Sequence, residues 1–336
     1  MKHIPQQLLD SFEQGDSYII LGHREPDGDC IGSQLGLGRF LTRRGKQVHL
    51  VSPGPFQRVE LEAWKDQFDA HIPTLTDPET TMVVVVDCST LERIDYLAQE
   101  LQPLQLRTIV IDHHSSGTPF GNIRHIDPSA PSVTLMILDI IEAAGDTPTR
   151  EEAEILLFGL ATDTGFFRHI ESGSRDTFEA VGRLTAYGAS PKDIFGRMYG
   201  GRSLESKRLL GVLLERTSSH CGGKVILTYE TLDELNRFGI ENRDSDSLYQ
   251  QLQGVSGVET IIFIREEKPG ECSVGLRSNS TVDVGKIALR FGGGGHSKAA
   301  GFSLKGSCRE TREAVLPFIQ KAVQEAVQND TEADRD

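Results

Sequence analysis

Four short apolar runs, separated by stretches with helical spacing, restrict the fold of this chain more than any other feature. The runs are rich in valine, isoleucine and leucine and lie at 18–22, 47–51, 82–87 and 108–112. Helices are predicted around them at 31–44, 90–101 and 132–143. Strands that alternate with helices are typical of a mostly parallel sheet with helices on both faces. We therefore predict an α/β fold for the first half of the chain.

Acidic and histidine residues follow apolar segments at four places in this half. Ligands and metals collect at the carboxyl ends of parallel strands, so these residues are expected to meet at one edge of the sheet. A single aspartate at such a position is usually a turn or a helix cap. Six candidates at four successive places are harder to explain structurally, and we predict that they bind metal. The candidate ligands are His23, Asp27, Asp29, Asp87, His113 and Asp163.

The ligand types indicate two ions. Asp87 stands alone at its strand end, so its two oxygens can bridge two metals, as in two-metal hydrolases. Carboxylates and imidazoles without thiolates suit manganese, with magnesium or cobalt as alternatives, better than a structural zinc. The five cysteines include no Cys-x-x-Cys pair, which argues against a thiolate site. We expect Cys30 and Cys88 to be buried packing residues.

Charge and composition exclude several classes of partner. The net charge is 35 − 49 = −14, so a long basic groove for duplex DNA is not expected. Bound divalent ions can still attract a short anionic substrate. No apolar run approaches the roughly 20 residues that cross a bilayer, and the polar N-terminus lacks the apolar core of a signal peptide. We expect no membrane partner and a cytoplasmic location.

The length of 336 residues predicts two domains. We expect a catalytic domain at 1–189, a helical linker at 190–215, a smaller α/β domain at 216–328 and a disordered acidic tail at 329–336. In the second domain, Gly292 to Gly295 precede His296. Glycines allow backbone amides to approach an anion, and the start of a following helix would favour negative charge. By itself, such a run is often only a flexible loop.

The motifs of the first half resemble those of the DHH phosphoesterase superfamily. They are His-x-x-x-Asp-x-Asp at 23–29, Asp87, Asp112-His113-His114 and Thr162-Asp163-Thr164-Gly165. The resemblance implies that His23, Asp27 and Asp87 hold one ion. It implies that the other ion is held by Asp29, Asp87, His113 and Asp163. Asp112 would orient His113, and His114 would face the scissile phosphate. Independently of the resemblance, Arg168 lies five residues past Asp163, where its guanidinium would either hold a substrate phosphate or be solvated.

The second half resembles the DHH-associated C-terminal domain. The resemblance rests on Leu276 to Asn279, Val282 to Ala288 and the glycine run. It implies that the terminal phosphate or base of a substrate is bound in a cleft between the domains. The implied substrate-binding residues are Arg277, Gly293, Gly294, Gly295 and His296.

The two-domain architecture is similar to that of the stand-alone members of this superfamily. These enzymes degrade short single-stranded oligoribonucleotides to mononucleotides, and some remove the 3′-phosphate of 3′,5′-bisphosphoadenosine (pAp). A dedicated phosphodiesterase for cyclic dinucleotides or pApA is the alternative, and a catalytically inactive nucleotide-binding regulator is a third interpretation. The segment from His169 to Arg175 departs from many relatives, so the resemblance does not define substrate preference near this loop. A homodimer is left open.

Overall fold

The computed structural model describes residues 4–75, 77–88, 90–170, 172, 174–279 and 281–333, with side chains described to residue 326. The chain divides into two compact units, 1–201 and 202–336. The predicted linker at 190–215 is therefore shared between the units. It contains two helices, Pro191–Tyr199 in the first unit and Leu204–Glu215 in the second.

The first unit contains a five-stranded, fully parallel sheet of order β2-β1-β3-β4-β5. Its strands are β1 (Ser17–Leu21), β2 (Gln47–Val51), β3 (Thr81–Val86), β4 (Arg107–Asp112) and β5 (Ile123–Ile126). Its helices are α1 (Gln6–Gln14), α2 (Gly28–Arg43), α3 (Leu97–Leu101), α4 (Val133–Ala143), α5 (Arg150–Asp163), α6 (Arg175–Ala186) and α7 (Pro191–Tyr199). The predicted parallel sheet is confirmed; β5 and α1 were not predicted.

Successive residues of the central strands point to opposite faces of this sheet. Ile20 and Val84 pack with residues of α1, α2, α4 and α5. Ile19 and Val83 pack on the other face with Leu97 and Leu101 of α3. Both faces are therefore covered by helices, as predicted. The predicted helix at 90–101 is a 3-10 turn, Leu91–Ile94, followed by the short α3.

Helices α2 and α5 pack closely because glycines line their contact. A Cβ at Gly28 would clash with the Thr162 side chain, and one at Gly159 would clash with that of Thr134 and approach the Gly28 carbonyl. This packing fixes the first turn of α2 against the last turn of α5. It follows that Asp29, in the first turn of α2, is held near the end of α5.

Replacing Gly159 by alanine is expected to destabilise the first unit by about 1–3 kcal/mol, because the interface has no space for a methyl group. Gly182, in α6, is the matched control: its added Cβ meets no atom within 4 Å, so alanine there should be neutral or stabilising by up to about 1 kcal/mol. Urea denaturation of the two variants measures the difference. Equal stabilities would contradict the close packing of α5 on α4 and α2.

The second unit is smaller and has a mixed six-stranded sheet of order β10-β11-β9-β8-β7-β6. Its strands are β6 (Ser218–His220), β7 (Val225–Glu230), β8 (Thr260–Lys268), β9 (Glu271–Ser278), β10 (Gly294–Gly295) and β11 (Ala299–Lys305). Its helices are α8 (Leu204–Glu215), α9 (Leu232–Phe238), α10 (Ser245–Gln253), α11 (Val284–Arg290) and α12 (Cys308–Ala333). Only β7 and β8 pair in parallel.

Two predictions for the second half are wrong. The glycine run leads into strand β11 and not into a helix, because Gly294 and Gly295 pair with Gly301 and Ala300. The tail predicted as disordered from 329 is helical to Ala333, and 334–336 lie outside the described residues. Within the described part of the chain, the helices are too short or too polar to span a membrane.

Candidate metal centre

The candidate ligands of the first unit meet at the carboxyl edge of its sheet. His23, Asp87 and His113 follow the adjacent strands β1, β3 and β4. Asp27 is the N-cap of α2, and its Oδ1 accepts hydrogen bonds from the backbone amides of Asp29 and Cys30. Asp163 is the last residue of α5. The sheet and the α2–α5 contact thus assemble residues that are far apart in sequence.

Asp87 lies at the centre of this cluster, and its two oxygens face different imidazoles. Its Oδ2 is 3.3 Å from Nε2 of His23, and its Oδ1 is 3.6 Å from Nε2 of His113. Asp87 has a positive φ of 56°, a conformation that costs energy for a residue other than glycine and is frequent at functional sites. The geometry allows this one carboxylate to serve two neighbouring cation positions.

Both histidines are oriented through their Nδ1 atoms. Nδ1 of His23 is 2.7 Å from the Arg24 carbonyl, and Nδ1 of His113 is 3.1 Å from the Ala130 carbonyl. A carbonyl only accepts, so each Nδ1 carries the proton and donates it. Each Nε2 then directs a lone pair towards the carboxylates. Such backbone contacts fix the tautomer and orientation of metal-binding histidines.

Two buried atoms at the centre have unsatisfied hydrogen-bonding capacity. Nε2 of His23 and Oδ1 of Asp87 are buried without a hydrogen-bond partner. Leaving such atoms unpaired costs about 1–3 kcal/mol each, and both are lone-pair donors that a cation satisfies. Ligand atoms of Asp29, His113 and Asp163 also lie within 4.8 Å of one another. The residues present therefore fit divalent metal ions.

The ionisation of the carboxylates reflects their crowding. Burial, together with the charges of Asp27 and Asp87, raises the pKa of Asp163 to about 6 despite the opposing effect of His113. Burial and the charges of Asp87 and Asp163 also raise the pKa of Asp29 well above its usual range. Several carboxylates share this region, and a divalent cation would stabilise their ionised forms.

Asp29 has a second contact set that sequence reasoning missed. Its Oδ2 accepts from the Val133 amide at 2.6 Å, and its Oδ1 accepts from the Thr134 amide and hydroxyl at 2.9 and 2.8 Å. Asp29 therefore stabilises the N-terminus of α4 as well as contributing to the cluster.

Cys30 also lies beside His23 and Asp87, but it has the properties of a packing residue. It is fully buried, as is Cys88, and burial raises the pKa of its thiol. A thiol that stays protonated is a poor metal ligand. The predicted role of both cysteines as buried residues is confirmed.

Asp112 contacts His114 and not the His113 ring, so its predicted partner is wrong. Its Oδ1 accepts from Nδ1 of His114 at 2.8 Å and from the amides of His113 and His114 at 2.9 and 3.3 Å. This hydrogen bond, against the effect of burial, raises the pKa of His114. The contact with Asp112 uses Nδ1 of His114, and Nε2 of the same ring faces Arg93.

Arg93 is a site residue that sequence reasoning missed. Its Nη1 lies 3.3 Å from Nε2 of His114. Arg93 belongs to the 3-10 turn that follows β3. The sequence signal that could have indicated it is its position shortly after Asp87, beyond the same strand end. Two nitrogen donors this close can share an anion such as phosphate.

The remaining predicted residues lie elsewhere. Arg168 is exposed in the turn after α5, where its Nε donates to the Gly165 carbonyl at 2.9 Å. Arg277, Gly293, Gly294, Gly295 and His296 belong to the second unit.

These second-unit residues converge at one end of the mixed sheet. Arg277 pairs in register with Ala299, and Ala299 and His296 exchange backbone hydrogen bonds of 2.7 and 3.2 Å. The Arg277 guanidinium lies over the Tyr249 ring, 4.1 Å from its centroid. Gly293 and Gly295 are required by the turn itself, because a Cβ at either position would clash with β11.

Carboxylates and oriented imidazoles at the carboxyl edge of a parallel sheet are the arrangement expected of a metal-dependent hydrolase. The chain matches the DHH family, N-terminal domain, over residues 17–160, and the DHHA1 domain over 210–329. It is 31% identical over 314 residues to the bifunctional oligoribonuclease and PAP phosphatase NrnA of Thermus thermophilus, covering 93% of this chain and 92% of that protein.

Two further proteins are similar along nearly their whole length. NrnA of Bacillus subtilis is 27% identical over 302 residues, which cover 89% of this chain and 92% of that protein. The crystal structure of an exopolyphosphatase-related protein from Bacteroides fragilis superposes with a TM-score of 0.82 at 26% identity, covering 97% of this chain and 98% of that one. This chain therefore belongs to the DHH family of phosphoesterases.

Proposed function

We propose that this enzyme degrades short single-stranded oligoribonucleotides to mononucleotides and removes the 3′-phosphate of pAp. The proposal is supported by similarity to proteins named for these two activities over most of the chain. The structural observation that carries it is Asp87, whose two oxygens face two separately oriented imidazoles. The net charge of −14 favours short substrates over long duplex DNA.

Two divalent ions would be held by the cluster. His23, Asp27 and Asp87 would hold one, and Asp29, Asp87, His113 and Asp163 the other. Manganese is the proposed metal, with magnesium or cobalt as alternatives, because the donors are oxygens and imidazole nitrogens. When bound, the ions would supply a nucleophile at neutral pH and neutralise charge on the phosphate.

The protein's own residues complete the site. His114 and Arg93 would donate hydrogen bonds to the non-bridging phosphate oxygens, where charge develops during hydrolysis. Asp112 keeps the His114 ring in place through Nδ1, so that Nε2 faces the substrate. Arg168, exposed in the turn after α5, would bind a further phosphate of the substrate. No side chain is required to form a covalent intermediate.

We propose that Arg277 and His296 bind the terminal phosphate or base of the substrate, with the glycine turn. Arg277→Ala and His296→Ala are each expected to raise KM about tenfold while kcat stays within a factor of about two, because the chemistry site is intact. Arg309→Ala, at an exposed arginine of the same unit, is the control. A loss of kcat at unchanged KM would show that these residues do not act in binding.

Hydrolysis of a 5′-labelled RNA ladder, from dinucleotides upwards, tests the proposed function in the presence of manganese. Rapid loss of the shortest species to mononucleotides is expected, and release of phosphate from pAp in parallel. Cyclic di-AMP and pApA distinguish the alternative. If cyclic di-AMP is hydrolysed fastest, the enzyme is a cyclic-dinucleotide phosphodiesterase and the proposal is wrong.

A further inference from the structure

Five aromatic side chains of the first unit form a continuous series of ring contacts, which we call the aromatic strip. Phe178 contacts Phe167, which contacts Phe166, at centroid distances of 5.8 and 5.2 Å. Phe166 contacts Phe195, which contacts Tyr199, at 5.1 and 4.8 Å. Phe178 and Phe195 are 55% and 50% exposed. Two exposed rings joined through one continuous series of aromatic contacts indicate a binding surface.

The strip is attached to the metal centre by a strained turn. Gly165, Phe166 and Phe167 follow Asp163 closely and have positive φ values of 58°, 55° and 71°. Left-handed backbone is unfavourable for phenylalanine and is found at functional sites. Hydrogen bonds from the Phe166 amide to the Ala161 carbonyl, 2.6 Å, and from the Phe167 amide to Thr164 Oγ1, 3.2 Å, maintain the turn. The fold thus presents these two rings immediately after a candidate metal ligand.

The part of the strip formed by Phe166 and Phe167 lies close to Asp163 of the cluster. Four residues of extended chain span at most about 14 Å, and the turn places Phe167 nearer to Asp163 than that. The exposed Arg168 belongs to the same turn. Aromatic faces beside a cation are the elements with which proteins bind single-stranded nucleic acid, because every base has a stacking face.

The exposed area of the strip fits a base better than a protein partner. A phenylalanine side chain offers roughly 200 Å², so two half-exposed rings present about 200 Å² in total. A stable protein interface buries about 800 Å² on each partner. The strip falls well short of that area but is sufficient for one or two nucleobases.

We propose that the aromatic strip is a nucleobase-stacking subsite. Phe178 and Phe195 would stack on a base adjacent to the scissile phosphodiester, whatever its identity. The inference rests on the proposed function. It assigns to the aromatic strip the recognition of the bases of an oligonucleotide, which the proposed function leaves unassigned.

The test combines a change in the protein with a change in the substrate. Phe195→Ala and Phe178→Ala are each expected to raise KM for a dinucleotide about 5- to 100-fold, because stacking on that base is lost. A dinucleotide that lacks one base should show the same increase with the wild-type enzyme and no further increase with the variant. Phe195→Tyr should restore the wild-type KM. Phe318→Ala is the control, since Phe318 of the second unit is 45% exposed.

The outcomes separate this subsite from the proposed function. Unchanged KM values in both alanine variants would overturn the stacking subsite, even if hydrolysis occurs as proposed. If light scattering shows that these variants lose self-association while KM is unchanged, the strip is an interface between two copies and the proposal is wrong. If the wild type fails to hydrolyse dinucleotides, the proposed function fails. In that case, the affinity for a phosphorothioate dinucleotide, measured by calorimetry, tests the subsite separately. Weaker binding by Phe195→Ala than by the wild type supports the subsite, and equal binding overturns it.

Discussion

Replacing Asp87 by asparagine is expected to reduce kcat at least about 10²- to 10³-fold on every substrate. Asp87 presents one oxygen to His23 and the other to His113. In asparagine one of these oxygens becomes an NH2 group and the other becomes a neutral amide oxygen, so one proposed ion position loses its ligand and the other keeps only a weaker one. Asparagine keeps the size of the side chain and tolerates the positive φ of this residue better than most residues. The loss should therefore be chemical, and the fold should remain.

Three measurements define this experiment. Steady-state kinetics on an RNA dinucleotide and on pAp give the loss of activity, equilibrium dialysis gives manganese bound per chain, and circular dichroism verifies folding. Asp66→Asn, at an exposed aspartate of the same unit, is the matched control and should match the wild type. Undiminished hydrolysis by a folded Asp87→Asn variant would contradict the assignment of this cluster as the reaction centre.

His114→Ala is expected to lower kcat about 10²- to 10³-fold, because a donor to the developing negative charge is removed. Asp112→Asn should lower it less, about 10- to 100-fold, because asparagine can still accept from His114 but no longer carries the charge that stabilises its protonated ring. Manganese binding should be unchanged in both variants. His71→Ala, at an exposed surface histidine, serves as control.

The double variant distinguishes a shared role from two separate ones. If Asp112 acts by positioning His114, the loss in Asp112→Asn/His114→Ala should equal that of His114→Ala alone. A fully additive loss would show that Asp112 acts independently of this ring. Loss of manganese binding in Asp112→Asn would instead indicate that Asp112 supports the metal ligands.

The parallel sheet and the assembly of the ligand cluster could be predicted because they depend on patterns local in sequence. Each of β1, β3 and β4 is an apolar run followed by its functional residue, and the parallel order brings those ends together. Contacts that depend on side-chain direction could not be derived. Whether Asp112 reaches the ring of His113 or of His114 depends on the turn after β4, where two amides bind its Oδ1.

The second half was harder to predict for a similar reason. The glycine run has no side chains whose pattern could distinguish a helix start from a hairpin, and its structure depends on pairing with β11. Arg93 was missed because it belongs to a short 3-10 turn with no periodic signal. The aromatic strip joins rings from α6, α7 and the turn after α5, and their proximity is visible only in three dimensions.

The hydrogen bonds of Asp27 and Asp29 affect how relatives of this chain should be compared. Asp27 caps α2 and Asp29 binds the first amides of α4, so folding alone would preserve both carboxylates in a descendant that no longer performed chemistry. Nε2 of His23 has no such structural duty within the described residues. Asp27 and Asp29 of the 23–29 motif are therefore weak evidence that a related sequence is an active enzyme. The imidazole of His23, whose Nε2 has no hydrogen-bond partner within the described residues, is the more informative marker.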